Sequence, residues 1–425
     1  VTAAILDDLA SRGLVHDSTD LDELRQRLEG GPISVYCGFD PTADSLHIGN
    51  LVPLLLLRRF QEHGHHPIAL AGGATGMIGD PSGRSDERNL LDDATLAGNV
   101  AAITGQLRAF LDFERTPNPA RIVDNRTWTE PQSVLAFLRD VGKHVTVNQM
   151  LAKESVRSRV QSEHGISFTE FSYMLLQAND FRWLLEHEGC ELQVGGSDQW
   201  GNITAGIDLI RRTLGQSAHG LTVPLVTRSD GSKFGKTAAG AVWLDSGRTS
   251  PYAFYQYWMQ VDDRDVERFL LQLTLLPVDE ARAVAADHAA APDQRRGQQR
   301  LAHEMTSLVH GSDTADEAAR ASTGFTRAAS ELDAATLDSL AGEIPTTRLP
   351  VAEVVGVDVV DVLARCGLAS SKSDARRSIA GGGISVNDIR LPEARPLEAA
   401  DVLHGRFVML RKGKKHRHLL VLEPS

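Results

Sequence analysis

Two short segments of this chain carry the residue types that handling a triphosphate requires. His47-Ile48-Gly49-Asn50 follows the strand-like run Ile33–Cys37. It reads as a strand-to-helix turn in which Gly49 lets a backbone come close to something. Lys233-Phe234-Gly235-Lys236-Thr237 lies about 190 residues later and offers two ammonium groups on a glycine-containing loop. A tight turn at a helix N-terminus and a remote pair of lysines are complementary to phosphate oxygens. Taken singly, a histidine at a helix start is more often structural, and a Gly-Lys-Thr string is more often a solvated turn. The lysine loop lacks the Walker A spacing, so it is not a P-loop.

The first half of the chain supplies the elements to position such groups. Pro67–Ala71, Arg121–Asp124, Glu191–Val194 and Leu221–Val226 have the composition of buried strands. Between them, 96–111, 132–138, 169–185 and 198–214 carry helical spacing. This alternation predicts an open, parallel α/β sheet. Ligands of such sheets bind at the carboxyl ends of the strands. Tyr36, Asp80, Gln193 and Gly195-Gly196 fall at or just past expected strand ends.

From 250 to about 324 the strand signal is replaced by helical patterns at 262–273, 277–288 and 292–310, with Ser250-Pro251 opening a further helix. Residues 318–350 are rich in Ala, Ser and Thr, with Pro345 and Pro350, and read as a spacer. A third unit starts near Val351. It holds a capped basic helix from Leu368 to Ile379, a Gly381-Gly382-Gly383 turn, and basic strand-like runs at 405–411 and 416–422.

Length and composition set outer bounds. At 425 residues two or three domains are expected, and 42% hydrophobic with 24% charged residues is the balance of a globular protein. No apolar run reaches the roughly 18 residues that span a bilayer, and no membrane contact is expected. Acidic residues near the first position leave no signal-peptide pattern. Cys37, Cys190 and Cys366 are sparse and far apart, which points to a reducing cytoplasm rather than a disulfide framework or a zinc site. His63, His65 and His66 match no metal-site spacing, and no metal ligand is assigned. Net charge is −12, yet residues 365–425 carry twelve Lys/Arg against six Asp/Glu. A basic tail on an acidic body points to a localised polyanion contact, against a plain solvated basic surface.

The motifs together resemble a known family. The turn at His47 and the loop at Lys233 resemble the HIGH and KMSKS signatures of class I aminoacyl-tRNA synthetases. Tyr36-Cys37-Gly38-Phe39-Asp40, Gly72–Gly76 and Gly79–Gly83 are similar to the bacterial tyrosyl branch. So are Phe171–Gln177 and Gln193–Asn202. The resemblance departs at Asn50, where the signature has a second histidine. Asn keeps an N–H donor but does not ionise, so function with altered pH dependence is expected.

The resemblance implies a Rossmann-like parallel-sheet catalytic domain (1–247), a helical tRNA-contacting domain (248–325), a linker (326–350) and a small α+β S4-like RNA-binding domain (351–425). It implies ATP-dependent ligation of L-tyrosine to tRNA(Tyr) through tyrosyl-adenylate, releasing diphosphate and AMP. Thr42, His47 and Asn50 would meet charge on the phosphates. Lys233, Lys236 and Thr237 would close over the β- and γ-phosphates, and Arg84 and Arg88 would add charge from the other side. Gly38, Asp40, Gly49, Gly196, Asp198 and Gln199 would bind the nucleotide, with Asp198 at the ribose and Gln199 at the reacting carboxylate or phosphate. Asp198 and Ser197 also read as helix caps, and both roles can hold at once.

Asp180 and Tyr36 would hold the phenol. Asp80, Tyr173 and Gln177, with Gln193 nearby, would hold the α-ammonium. Tyr173, Gln177 and Asp180 share one helical face, which is ordinarily a solvent face but here is surrounded by Phe171, Met174, Leu175 and Leu176. Lys372, Arg376 and Arg377 would contact RNA phosphates. Mg²⁺ is expected with ATP, without an identified protein ligand. A homodimer is also implied, with 141–150 at the subunit contact. Two rivals are a synthetase-like RNA-binding protein without catalysis and a tryptophan ligase on the same fold. Intact His47, Lys233 and Lys236 oppose the first, and Asp180 with Tyr36 suits a phenol better than an indole.

Overall fold

The computed structural model describes the chain except residues 1–3, 83–90, 115, 162–164, 230–233, 238–239, 325–327, 342–343, 414–415 and 424–425. At 154, 155, 158, 236, 237 and 324 the backbone alone is described. The chain divides into two compact units, Val1–Ser250 with Gln260–Leu301 and Pro251–Met259 with Ala302–Ser425.

The first unit is built on a five-stranded, all-parallel sheet: β1 (Ser34–Phe39), β2 (His66–Ala71), β3 (Arg121–Asp124), β4 (Cys190–Gly196) and β5 (His219–Val223), in the order β3-β2-β1-β4-β5. Parallel strands are covered on both faces, so their interiors read as unbroken apolar runs. Val35, Ile68, Ala69, Leu192, Val194 and Leu221 are all buried. The chain runs outward from β1 to β3 on one side and from β4 to β5 on the other. That reversal puts a switch point between β1 and β4, where sheets of this kind hold ligands.

Three helices carry site residues. Helix α1 (Leu51–Glu62) follows the His47 turn. Helix α2 (Phe168–Glu188) starts at Ser167, whose hydroxyl accepts from the Glu170 N–H, and stops at Gly189 with φ of 60°. Helix α3 (Trp200–Leu214) packs on α2 at Gly206, where a Cβ would lie 3.0 Å from the Phe181 ring. A larger residue there would force the two site helices apart. Helix α4 (Val266–Leu273) lies in the same unit and buries Val266, Phe269, Leu270 and Leu273. A two-stranded ribbon, β6 (Lys236–Thr237) with β7 (Gly240–Ala241), follows the lysine loop. No helix among the described residues is long and apolar enough to cross a membrane.

The second unit contains a five-stranded sheet in the order β10-β9-β11-β12-β8, from β8 (Thr346–Pro350), β9 (Ile384–Val386), β10 (Ile389–Arg390), β11 (Phe407–Lys412) and β12 (His416–Glu423). Helix α5 (Lys372–Ala380) covers it by burying Ala375 and Ile379 in a cluster with Val386, Val408 and Leu420. The 326–350 stretch, expected to be a spacer, is structured. Residues 334–341 are helical, and β8 pairs in parallel with β12. Leu332, Leu337 and Leu340, with Ala321 and Ala329, pack against Phe407, Met409, Leu419 and Val421. Small residues misled the composition argument because they serve here to let helices lie close to a sheet. The prolines flanking β8 fit its place at the sheet edge, where a missing N–H costs nothing.

Candidate active site

At the amino-acid end, Tyr36 sits in the middle of β1, between Ile68 of β2 and Gln193 of β4. Its side chain is buried beside Phe181, with ring centroids 5.3 Å apart. The Tyr36 hydroxyl and the Gln193 Oε1 are buried polar atoms with no hydrogen-bond partner among the described residues. Leaving such an atom unpaired costs roughly 1–3 kcal/mol, so each marks a place where a polar ligand group could be received.

Asp180, on α2, is 2% exposed. One carboxylate oxygen accepts from the Asn125 amide at 3.0 Å and the other from the Trp128 indole N–H at 2.8 Å. Burial outweighs those donors and pushes the carboxyl up to about 7. The network continues away from Asp180. The Asn125 amide also donates to Thr75 Oγ1 (3.0 Å), Thr75 donates to Asp40 (2.9 Å), and the Tyr173 hydroxyl donates to the other Asp40 oxygen (2.9 Å). Gly72 is obligatory for this chain, since a Cβ there would lie 2.3 Å from Asp40 Oδ1 and 2.5 Å from Thr75 Oγ1. Gly72→Ala should therefore raise the KM for tyrosine at least tenfold, by a threshold of about 1.4 kcal/mol; steady-state kinetics with unchanged KM would contradict the packing.

A second network holds Asp80, Gln177 and Gln199. Gln199 Nε2 donates to Asp80 at 2.7 Å, and the Ser82 N–H donates to the other Asp80 oxygen at 2.9 Å. Gln177 and Asn202 both donate to Gln199 Oε1, and Asn202 also donates to Gln177 Oε1. Asp40, Asp80, Asp180 and Asp198 thus bring four carboxyl groups into the β1/β4 region. Burial, then Asp40 and Asp80, hold the Tyr173 phenol well above its usual range. The surrounding protein and Asp80 push the Asp198 carboxyl up, although its side chain opens to solvent. An excess of negative charge of this kind receives an ammonium group. No thiolate is available nearby, because burial pushes the Cys37 thiol up to about 12.

The residues expected to meet the nucleotide include the turn that leads into α1. His47 Nδ1 accepts from the Gly49 N–H at 3.0 Å, and Asn50 Oδ1 accepts from the His47 N–H at 3.0 Å. These reciprocal bonds form a capping box at the start of the helical turn. Asn in place of the second signature histidine is thus explained locally, as a cap acceptor. Gly38 is exposed next to buried Phe39, and the Thr42 N–H folds back to the Asp40 carbonyl at 2.9 Å. A Cβ on Gly49 would lie 2.8 Å from the His47 ring, and one on Gly196 would lie 2.6 Å from Asp198 Oδ1. The two signature segments meet. The Ile48 N–H donates to the Val242 carbonyl, the Val242 N–H donates to the Gly235 carbonyl, and Gly235, with φ of 81°, lies over Ile48.

Lys233, Arg84 and Arg88 lie outside the described residues, and Lys236 and Thr237 are described by backbone alone, as β6. Lys372, Arg376 and Arg377 lie on the solvent side of α5, with Lys372 paired to Asp361 at 2.7 Å. The histidine trio is used locally. Buried His65 accepts from the Ile33 N–H, His63 bonds the Arg59 carbonyl, and His66 opens β2. Sequence reasoning missed Thr75, Asn125, Trp128 and Asn202. Thr75 and Asn202 stood inside quoted motifs but carried no charge to draw notice. Asn125 and Trp128 follow β3 with no distinguishing pattern.

Comparison with known proteins agrees with this geometry. The family described as "tRNA synthetases class I (W and Y)" matches residues 28–326, and the "Tyrosine--tRNA ligase SYY-like C-terminal domain" matches 337–420. A tyrosine–tRNA ligase of Opitutus terrae is 58% identical over 97% of this chain and 98% of its own length. One from Geobacillus stearothermophilus is 51% identical over 98% and 99%. The crystal structure of a C-terminally truncated mitochondrial tyrosyl-tRNA synthetase from Aspergillus nidulans superposes with a TM-score of 0.69 at 31% identity, covering 75% of this chain and 93% of that one. A tryptophanyl-tRNA synthetase of Plasmodium falciparum shares the fold at 14% identity and a TM-score of 0.53, over 74% and 84% of the two chains. With the tyrosyl-type C-terminal domain and near-complete coverage by tyrosine–tRNA ligases, this chain belongs to the class I aminoacyl-tRNA synthetases, in their tyrosine–tRNA ligase branch.

Proposed function

We propose that the β1/β4 crevice holds L-tyrosine and ATP side by side and joins the amino acid to tRNA(Tyr) in two steps. A tyrosine carboxylate oxygen attacks the α-phosphorus. The bond from that phosphorus to the bridging oxygen breaks, and diphosphate leaves with the electron pair. A hydroxyl of the tRNA 3′ ribose then attacks the tyrosyl carbonyl, loses its proton, and AMP departs. Neither step uses a protein nucleophile, so catalysis rests on positioning and on donors aimed at developing charge.

The observation that carries this reading is the burial of Tyr36 and Asp180 within electrostatic reach of each other. A buried hydroxyl without a partner among the described residues and a buried carboxylate are both offered to one ligand O–H. Asp80, Tyr173 and Gln177 take the α-ammonium, and Gln193 lies beside it. His47, Thr42 and Asn50 face the α-phosphate; Lys233, Lys236 and Thr237, with Arg84 and Arg88, neutralise the departing diphosphate. Gly38, Asp40, Gly49, Gly196, Asp198 and Gln199 line the nucleoside. Tyrosine-dependent exchange of labelled diphosphate into ATP tests the first step, with tryptophan in place of tyrosine as the control.

Mg²⁺ accompanies ATP in this reading, but the described carboxylates do not fit as its ligands. No group of three metal-binding side chains occurs among the described residues. The ion is assigned to the nucleotide's own phosphates.

The tail binds tRNA through Lys372, Arg376 and Arg377. Replacing all three by Ala should leave diphosphate exchange unchanged. It should weaken aminoacylation and lower the slope of log affinity against log salt by about 0.7–0.9 per lost phosphate contact. Filter binding at several salt concentrations checks this, and an unchanged slope would remove the assignment.

The working species is a homodimer in the cytoplasm. Exposed Val134, Leu135, Leu138, Val147 and Phe168 flank a cluster built on Val141, Met150 and Met174, so apolar surface brackets the 141–150 segment. Free Cys37, Cys190 and Cys366 fit a reducing compartment. Leu135→Asp should convert the dimer to monomer in sedimentation velocity, and a wild-type monomer at micromolar concentration would contradict the assembly.

A further inference from the structure

Asp265 stands at the N-cap of α4, yet its side chain makes no capping bond to that helix. Aspartate at this position ordinarily accepts from the first-turn N–H groups. Here the preceding turn is capped by Asp262, which accepts from the Arg264 N–H at 3.0 Å. The Asp265 carboxylate is spent elsewhere. One oxygen accepts both the Ser229 N–H at 2.9 Å and the Ser229 hydroxyl at 3.0 Å. The other pairs with Arg268, whose guanidinium also donates to the Thr227 carbonyl. Asp265 is 2% exposed while Ser229 is exposed, so a buried anion holds a surface strand of chain.

The same helix holds the chain again within the signature loop. Phe234 packs edge-on against buried Phe269, with centroids 5.4 Å apart. Asp265 and Phe269 are one helical turn apart. Ser229, ahead of the lysine loop, and Phe234, within it, are therefore anchored on one turn of α4. From Phe234-Gly235 the bonding continues through Val242 to Ile48, inside the His47 turn. At the far end of α4, the Gln272 and Thr274 carbonyls accept from buried Arg59 on α1, the helix that the His47 turn starts. One two-turn helix thus braces both triphosphate-facing segments.

We infer that Asp265 is a positioning residue for adenylate formation: through Ser229 and Arg268 it fixes where the chain enters the lysine loop relative to the His47 turn. It touches no substrate. The inference rests on the two-step reading above and adds a residue that the signatures do not contain. Misplacing a catalytic group by about 1 Å costs up to roughly a hundredfold in rate.

The test is diphosphate exchange at saturating ATP, with kcat and the KM for tyrosine measured separately on the full chain. Asp265→Ala should lower kcat about ten- to a hundredfold and leave the KM for tyrosine within about twofold. Asp265→Asn keeps an acceptor for Ser229 and should recover kcat to within about threefold of wild type. Ser229→Ala, on the surface, removes one of the two bonds and should fall between. The inference is overturned if Asp265→Ala or Ser229→Ala retains wild-type kcat. It is also overturned if the KM for tyrosine rises and the melting temperature falls in step with the loss of kcat and Asn gives no rescue, since that is a purely structural role. If Asp265→Ala does not fold, the Ser229→Ala and Asp265→Asn kinetics decide alone. Wild type that exchanges no diphosphate would instead defeat the functional reading itself.

Discussion

Asp180→Asn lowers kcat/KM for tyrosine activation about a hundredfold and leaves the KM for ATP unchanged. In the proposed pocket the carboxylate accepts the substrate's phenolic proton, and a hydrogen bond to a charged, buried group is worth roughly 1.5–3 kcal/mol. Asn also turns an N–H₂ toward either the phenol or the Trp128 indole, both of which are donors. The loss should thus fall at the upper end of that range. Unchanged tyrosine kinetics in a folded Asp180→Asn protein would contradict the pocket.

The same residue fixes a pH dependence. Burial raises the Asp180 carboxyl to about 7 in the free protein, whereas an unfolded chain titrates it near 4. Between those values the folded state keeps a proton that the unfolded state releases. The group's contribution to stability is therefore fully present below the unfolded value and is lost as pH rises through about 7. Tyrosine pulls the other way, because its O–H bonds the carboxylate form. Tyrosine affinity should rise as pH passes upward through about 7, and binding near neutrality should release a proton. Calorimetry in two buffers of different ionisation enthalpy measures that proton, and the Asp180→Asn variant should show none. A wild-type affinity that is flat from pH 5.5 to 8.5, a range of about three units around the raised value, would remove the mechanism.

His47→Ala is the second large effect: a loss of roughly 10²–10³ in the rate of adenylate formation, with the KM for tyrosine preserved. Nδ1 accepts from Gly49 and so fixes the neutral tautomer with its proton on Nε2, the donor assigned to the α-phosphate. Alanine removes that donor and the cap together. Asn50→Ala separates the two, since it removes the reciprocal cap on the His47 N–H and leaves the His47 imidazole in place. It should cost about 1 kcal/mol of local stability and only a few-fold in rate. Pre-steady-state quench of tyrosyl-adenylate distinguishes them, and equal losses in both variants would assign His47 a structural role alone.

Much of this arrangement was legible in the sequence because it rests on periodicity and on charge. The apolar runs that became β1, β2, β4 and β5 read as parallel strands, but Tyr36 and Gln193, expected at strand ends, lie inside β1 and β4. Asp180, Tyr173 and Gln177 could be put on one face by spacing. Spacing did not reveal that Asp40 accepts hydrogen bonds from Tyr173 and Thr75. The Tyr173 bond joins β1 to α2 across 133 residues of sequence, and only the sheet order makes them neighbours. Asn125 and Trp128 were invisible for the same reason. The 326–350 stretch failed differently: its alanines look like a loose tether in one dimension, and only Phe407 and Val421 on the facing sheet give them something to pack against.

The central claim is that pre-set donors and cations in the β1/β4 crevice couple tyrosine to AMP. Exchange of labelled diphosphate into ATP by the wild-type protein measures it most directly. Exchange that requires tyrosine, is not supported by tryptophan or phenylalanine, and collapses in Asp180→Asn and His47→Ala is the predicted result. Protein that binds tyrosine and ATP but exchanges no diphosphate, or exchanges it equally well with tryptophan, would contradict the account.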